Sequence, residues 1–226
     1  LIVFKRNDMR INKFFYLLLI LFLSISCNSS DPAIKIINLD AAKNAVQNYY
    51  ESGLYDYECS KIIDDAIKHI NKINTNEHSV VIFDIDETAL SNYEHTKSIG
   101  FGYVVELWNN WIKEGKAKAI KETKRFYDFL ISKNIRVIFI SGRYEELREA
   151  TIKNLIEQGY TKFDTVITRT KEEHDIPAAE FKAKKREELV KKGYEIIANI
   201  GDQWSDLVGG NSGYKIKLPN YLYLID

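Results

Sequence analysis

Four short segments carry side chains with chemical potential. In order they are F-D-I-D-E-T-A-L-S-N at 83–92, I-S-G-R at 140–143, F-K-A-K-K-R at 181–186 and G-D-Q-W-S-D at 201–206. A bare D-x-D is common, because acidic pairs after strands often cap helices or sit in solvated turns. Here Asp84 and Asp86 follow the apolar run V-V-I-F. Two residues along a strand is one pleat repeat, so both carboxylates can point the same way. Asp84, Asp86, Asp202 and Asp206 would repel one another at close quarters. A hard divalent cation with oxygen ligands relieves that repulsion.

The elements that would position these residues follow from periodicity. Leu39 to Glu51 and Leu54 to Ile73 carry apolar residues at helical spacing, with Gly53 between them. Ser79 to Ile85 reads as a strand buried on both faces. Thr123 to Lys133 predicts a helix, Ile135 to Ile140 a second strand, and Glu145 to Gln158 a helix capped by Gly159. Phe163 to Thr168 predicts a third strand, Ala178 to Lys192 a helix ending near Gly193, and Glu195 to Ile200 a fourth strand. This alternation predicts an α/β fold, a parallel sheet with helices on both faces. Ligands of such sheets bind beyond the carboxyl ends of the strands. Asp84, Asp86, Ser141 and Asp202 stand at those ends, and Lys182 opens the helix between strands three and four. Residues 87–120 break the alternation and are rich in aromatic side chains, so they predict a small cap insert above the strand ends.

Composition narrows the classes. The 226 residues are 45% hydrophobic, with 32 basic and 32 acidic side chains and a formal net charge of zero. A disordered chain would be less apolar or more highly charged, and a protein neutralising a nucleic-acid polymer would be basic. The N-terminal part reads as a targeting segment. Arg10 and Lys13 follow Met9, where translation is expected to begin, and Phe14 to Leu23 is an apolar run of ten residues. Such a run covers about half of a bilayer core, so residues 1–26 predict a secretory signal peptide. Small Ser26 precedes Cys27 as in a lipobox, although Leu23 lies one position further out than usual. Cys27 is therefore the expected lipidation site, 27–38 the tether, and 39–226 the folded domain. Plain cleavage near Ser26 is the competing reading. Cys59, in a helical pattern, reads as a small buried hydrophobe.

In this order, D-I-D-E-T and G-D-Q-W-S-D resemble the haloacid dehalogenase superfamily, specifically its class B and plant-type acid phosphatases. That group includes bacterial surface-lipoprotein acid phosphatases and plant vegetative storage proteins, and the resemblance covers about residues 40–226. It implies a magnesium-dependent phosphomonoesterase in which Asp84 forms an aspartyl-phosphate and Asp86 serves as acid and then base. It further implies that Ser141, Gly142 and Lys182 hold the phosphoryl group. The implied metal ligands are Asp84, the main-chain carbonyl of Asp86, and Asp202, with Asp206 acting through water or behind the ligands. Lys184 and Lys185 compete with Lys182, but the family pattern of aromatic, Lys, small residue and then K-R selects Lys182.

Asn92, Tyr93, Trp108 and Trp111 are cap candidates for the leaving group, which could be the nucleoside of a monophosphate. Other aromatic esters fit the same residues, and aromatic positions of this kind are often core. His95 could border the pocket. Arg143 could touch substrate, although an exposed salt bridge is its simpler role. The expected partner is a small phosphomonoester, not a nucleic-acid polymer, and the expected location is an exported, lipid-anchored one at the outer membrane or cell surface. The sequence leaves the oligomeric state open. A storage or binding protein on the same fold, and phosphotransfer to an alcohol, are alternatives. The presence of both Asp84 and Asp86 favours the enzyme.

Overall fold

The computed structural model describes residues 36–225. The expected signal segment, Cys27 and most of the tether lie outside the described residues. No helix among those described is long and apolar enough to cross a membrane.

The most apolar run of the domain becomes its central strand. β1 (Ser79–Phe83) is buried at all five positions. β4 (Arg136–Tyr144) and β5 (Thr165–Arg169) extend the sheet on one side; β6 (Glu195–Gly201) and β7 (Tyr214–Lys217) extend it on the other. The order is β5-β4-β1-β6-β7, and every pairing is parallel. The chain leaves β1 toward β4 and β5, then returns to the opposite side of β1 as β6. The strand order therefore reverses beside β1, where a ligand crevice is expected in such sheets.

Alternation along β1 divides the core. Val81 and Phe83 pack with α2 (Leu54–Ile70) and α5 (Lys121–Ser132), while Val80 and Ile82 pack with Phe181 and Leu189 of α7 (Ala178–Lys191). Helices thus cover both faces, as the alternation predicted. α1 (Leu39–Glu51) buries no residue fully and leans on the core through half-buried Tyr49 and Tyr50. Cys59 on α2 is completely buried, and burial pushes its thiol up to about 12. It is the packed hydrophobe that the helical pattern implied.

Several boundaries differ from expectation. α2 stops at its last buried residue, Ile70, three positions early. The segment after β4 divides into a single 3₁₀ turn, Glu145–Leu147, and α6 (Arg148–Glu157). β4 runs past Ile140 to Tyr144, which carries Ser141 to Arg143 along the strand end. β7 was absent from the sequence reading: Y-K-I-K buries only Ile216 and half-buries one lysine, too weak a pattern to stand out. The insert holds α3 (Tyr93–Ser98), α4 (Val105–Glu114) and a small antiparallel ribbon of β2 (Leu90–Ser91) with β3 (Lys118–Ala119).

Candidate active site

Hydrogen bonding continues past the end of β1, since the Asp84 N–H donates to the Ile200 carbonyl of β6 at 3.0 Å. Asp84 is thus fixed beside the end of β6, where Asp202 follows Gly201. The short helix α8 (Trp204–Leu207) returns Asp206 to the same place, and Gln203 N–H donates to Asp206 Oδ2 at 2.8 Å to cap it. Gly201 is required by this close approach, because a Cβ there would lie 2.4 Å from the Asp206 side chain. One oxygen from each of Asp84, Asp202 and Asp206 lies within 4.8 Å of the others, and all three residues are buried.

One cation enters this group. Lys182 Nζ donates to Asp84 Oδ1 at 2.5 Å and also to Asp206 Oδ1. Its position depends on α7. One turn later Arg186 is completely buried and donates to the carbonyls of Asp206, Val208 and Gly210. Residues four apart share a helix face, so the same face presents Lys182 to the carboxylates and clamps the loop carrying Asp206. Lys185 instead pairs with Glu173 at 2.6 Å, and Lys184 is 3.9 Å from the same carboxylate. Of the three lysines, Lys182 is the one placed against the acidic cluster.

Asp202 is held without a cation: Oδ1 accepts from Thr88 at 3.1 Å, and Oδ2 accepts from Gln203 at 2.7 Å and Asn220 at 2.6 Å. Burial, with the charges of Asp206 and Glu87 adding to it, raises the Asp202 carboxyl to about 7. Burial likewise raises Asp84 well above the carboxylate range; Lys182 opposes this, while Asp206, Asp202 and Asp86 reinforce it. Burial by itself would lower Lys182, but Asp206 and Asp84 outweigh it and hold the ammonium above its ordinary value. Three buried carboxylates thus face one ammonium, and every potential ligand is oxygen. This donor set and its excess negative charge fit a hard divalent cation.

Asp86 belongs to a separate network. Arg143 Nη2 donates to Asp86 Oδ1 at 2.6 Å, and Arg143 Nε lies 3.2 and 3.1 Å from its two oxygens. Asn92 adds a donor to Oδ1 at 2.9 Å. Arg143 is buried, not the exposed salt-bridge former expected of a residue in a strand-end turn. The extension of β4 draws it inside, where Thr151 accepts from its Nη1 at 2.9 Å. The Arg143 backbone N–H donates to Ser141 Oγ at 3.1 Å. Ser141 is fully buried, while Gly142 is exposed along the cavity. The loop beyond Asp86 turns through Glu87 with φ 54, and buried Glu87 accepts from Asn92 and Tyr223. Burial and the neighbouring Asp86 raise Glu87 to about 7.

A cavity of about 680 Å³ opens over these groups. Asp84, Asp86, Gly142, Lys182, Asp202 and Asp206 line its strand-end side. Trp108, Tyr103 and His95 approach from the insert, and Tyr144, Arg169 and His174 form another wall. His95 packs between Trp108 and Trp111, with ring centroids 5.8 and 5.4 Å away. Of the four cap candidates, Trp108 lines the cavity and the other three do not. Tyr93 faces the N-terminal helices, stacked on Tyr50 at 4.9 Å with its hydroxyl donating to Glu51 at 2.7 Å. Trp111 donates its indole N–H to Asn92 Oδ1 at 2.8 Å, and Asn92 is fully buried behind Asp86.

The sequence reading missed Asn220, Tyr223, Arg169 and His174 as site residues. Asn220 and Tyr223 arrive on the tail after β7, with no motif around them. Arg169 ends β5, so its position beyond a buried strand was the available signal.

The family model described as HAD superfamily, subfamily IIIB (acid phosphatase) matches residues 23–226. The chain is 33% identical over 187 residues to the stem 28 kDa glycoprotein of Glycine max, covering 80% of this chain and 74% of that one. It is 31% identical over 186 residues to acid phosphatase 1 of Solanum lycopersicum, covering 80% and 73%, and 33% identical over 201 residues to vegetative storage protein 1 of Arabidopsis thaliana, covering 84% and 74%. The class C acid phosphatase from Bacillus anthracis shares the fold, with a TM-score of 0.68, 22% identity and coverage of 82% of this chain and 86% of that one. With its strand-end acids, its Lys182 and a match spanning nearly its whole length, the chain belongs to subfamily IIIB of the haloacid dehalogenase superfamily, the acid phosphatases.

Proposed function

We propose that this acid phosphatase hydrolyses phosphomonoesters through an aspartyl-phosphate on Asp84, with magnesium as its cation. The observation that carries the reading is the state of Asp84. Lys182 holds its Oδ1, while its Oδ2 accepts no hydrogen bond from the described residues, and Asp84 borders the cavity. That oxygen is available to attack phosphorus in line, forming the P–O bond to Asp84 as the ester P–O bond breaks. Ser141 Oγ, the Gly142 N–H and Lys182 Nζ would hold the phosphoryl oxygens.

Asp86 would supply the proton that leaves with the alcohol. Its Oδ1 accepts from Asn92 and Arg143, whereas Oδ2 accepts only the longer Arg143 Nε contact at 3.1 Å. Oδ2 is therefore the freer oxygen for holding and moving the proton. In the second half, the same oxygen takes a proton from water as the water attacks phosphorus and restores Asp84. Asp84, the main-chain carbonyl of Asp86 and Asp202 would hold the metal, and Asp206 would hold Lys182. When bound, the cation offsets carboxylate charge and neutralises a phosphate oxygen.

The cavity's aromatic walls fit an aromatic leaving group such as a nucleoside. A signal segment followed by Cys27 supports export and lipid anchoring, and Cys27→Ser should then release the protein from the membrane fraction. The central test is turnover of a panel of phosphate esters with and without magnesium, joined to acid-quench trapping of labelled phosphoenzyme. Turnover without a phosphoenzyme on Asp84 would overturn the mechanism, and no turnover of any ester would overturn the function.

A further inference from the structure

Two buried arginines close to the site differ in one respect. Arg186 forms no ion pair with a carboxylate among the described residues, but its Nε, Nη1 and Nη2 each donate to a carbonyl. It is complete. Arg169, 6% exposed, has only Nη1 engaged, by the carbonyls of Glu173 and Ile176 at 2.8 and 2.6 Å. Its Nε and Nη2 find no acceptor among the described residues. Nor does it have a carboxylate partner there, since the nearby Glu173 carboxylate is taken by Lys185 and Lys184. The guanidinium lies over the Phe181 ring, 4.6 Å from its centroid, and borders the cavity.

A largely buried cation without a carboxylate partner is costly unless something offsets it, and the Arg169 Nε and Nη2 that lack acceptors keep contact with solvent. Desolvation accordingly pulls Arg169 below its ordinary value, with Tyr144 and Glu173 only partly opposing. The free edge of the fork points toward the strand ends: Arg169 Nε is 4.0 Å from where a Cβ on Gly142 would sit. A second nitrogen-bearing side chain shares the wall. His174 stacks on Tyr144 at 3.8 Å, Tyr144 is paired with Arg169 across β4 and β5, and His174 Nε2 is buried without a partner among the described residues. Two unused nitrogen-bearing groups therefore border one side of the cavity.

We propose that Arg169, with His174 beside it, is a subsite for a second anionic group carried by the leaving portion of the substrate. The preferred esters would then bear a phosphate or a carboxylate besides the phosphoryl group being transferred. This rests on the reading of the strand ends as the phosphoryl site. The transferred group already has a cation of its own. Arg169 Nη1 is tied back to the 173–176 loop, and Lys182 already meets Asp84.

The test compares propyl phosphate, 3-carboxypropyl phosphate and propane-1,3-diyl bisphosphate on the wild type, Arg169→Met and Arg169→Gln. The wild type should favour one or both charged esters in kcat/KM. Arg169→Met should reduce that preference ratio by about tenfold or more, the scale of one charge-assisted hydrogen bond. Which charged ester loses more identifies phosphate or carboxylate as the natural group. An unchanged ratio, with all three esters slowed alike or not at all, would overturn the subsite. Arg169→Gln keeps a polar amide on the side of the 173–176 loop, so it provides the reading if Arg169→Met fails to fold. Calorimetry with propylphosphonate and propane-1,3-bisphosphonate separates this from the function. If no ester is turned over, a bisphosphonate preference that depends on Arg169 still supports the subsite, and equal affinities overturn it.

Discussion

At the strand ends, carboxylates are tied down from several directions. Asp202 is held by Thr88, Gln203 and Asn220; Asp206 by Lys182 and the Gln203 N–H; Asp86 by Arg143 and Asn92. In the insert, the cavity-lining groups are held by ring packing with few fixed polar bonds. Among the described residues His95 Nε2 has no partner, Tyr103 is largely exposed, and Trp108 meets His95 and Tyr103 edge-on or tilted. The contrast matches the two halves of a phosphate ester. The phosphoryl group is constant, and a pre-organised site can stabilise its transfer without reorganising. The leaving group varies, and a wall of rings with few fixed polar contacts accepts variation.

The sharpest way to break this comparison is to remove the nucleophile. Asp84→Asn should lower turnover by roughly a thousandfold or more on every ester, since an amide cannot form the phosphoenzyme. Folding should persist, because the amide oxygen can still accept from Lys182. A folded Asp84→Asn protein with near-normal rates would detach the strand ends from the chemistry.

Metal removal comes next. Chelation should abolish most turnover and lower the melting temperature, because among the described residues Asp84 and Asp206 then have Lys182 as their counter-charge and Asp202 has none. Added magnesium should restore both, since a ligand that binds the folded state stabilises it. Full activity after exhaustive chelation would contradict the assignment of the cluster.

Asn92 lies on the border between the two regions. It donates to Asp86 and Glu87 and accepts from Trp111. Asn92→Ala should reduce kcat by about tenfold, uniformly across esters, with a stability loss of about 1–3 kcal/mol for the buried groups left unpaired. A change of preference among esters would place Asn92 with the pocket instead.

The central strand, its flanking helices and the strand-end acids were legible because each carries its own local signal: a continuous apolar run, a helical period, or a polar residue following a strand. Lys182 was separable from Lys184 and Lys185 only through the pattern that the family resemblance implies; the charge run itself reads as a solvated helix face, and the contact of Phe181 with the sheet that turns Lys182 inward is visible only in the fold. What was hidden depends on contacts distant in sequence. Asn220 and Tyr223 reach Asp202 and Glu87 across 18 and 136 residues. Arg143 looked exposed because the strand was expected to end before it, where β4 in fact continues to Tyr144. Tyr93 and Trp108 look alike as exposed-or-core aromatics, and only the path of α3 and α4 tells them apart.

That last pair gives the finest test of the comparison. Trp108 borders the cavity, whereas Tyr93 is 8% exposed and stacks on Tyr50 behind it. Trp108→Ala should therefore shift kcat/KM between bulky aromatic esters and a very small ester. A stacked ring contributes on the order of 1 kcal/mol, so the relative preference should change by about tenfold or less. Tyr93→Phe removes only the hydroxyl bonded to Glu51, at a part-buried site. It should cost about 0.5–1.5 kcal/mol of stability at most and leave the order of substrates alone. Specificity constants for one small and two aromatic esters, measured with the melting temperature of each variant, decide it. If Trp108→Ala slows all three esters equally while lowering the melting temperature, Trp108 is packing like Tyr93, and the wall facing the leaving group must be sought on the Tyr144 side.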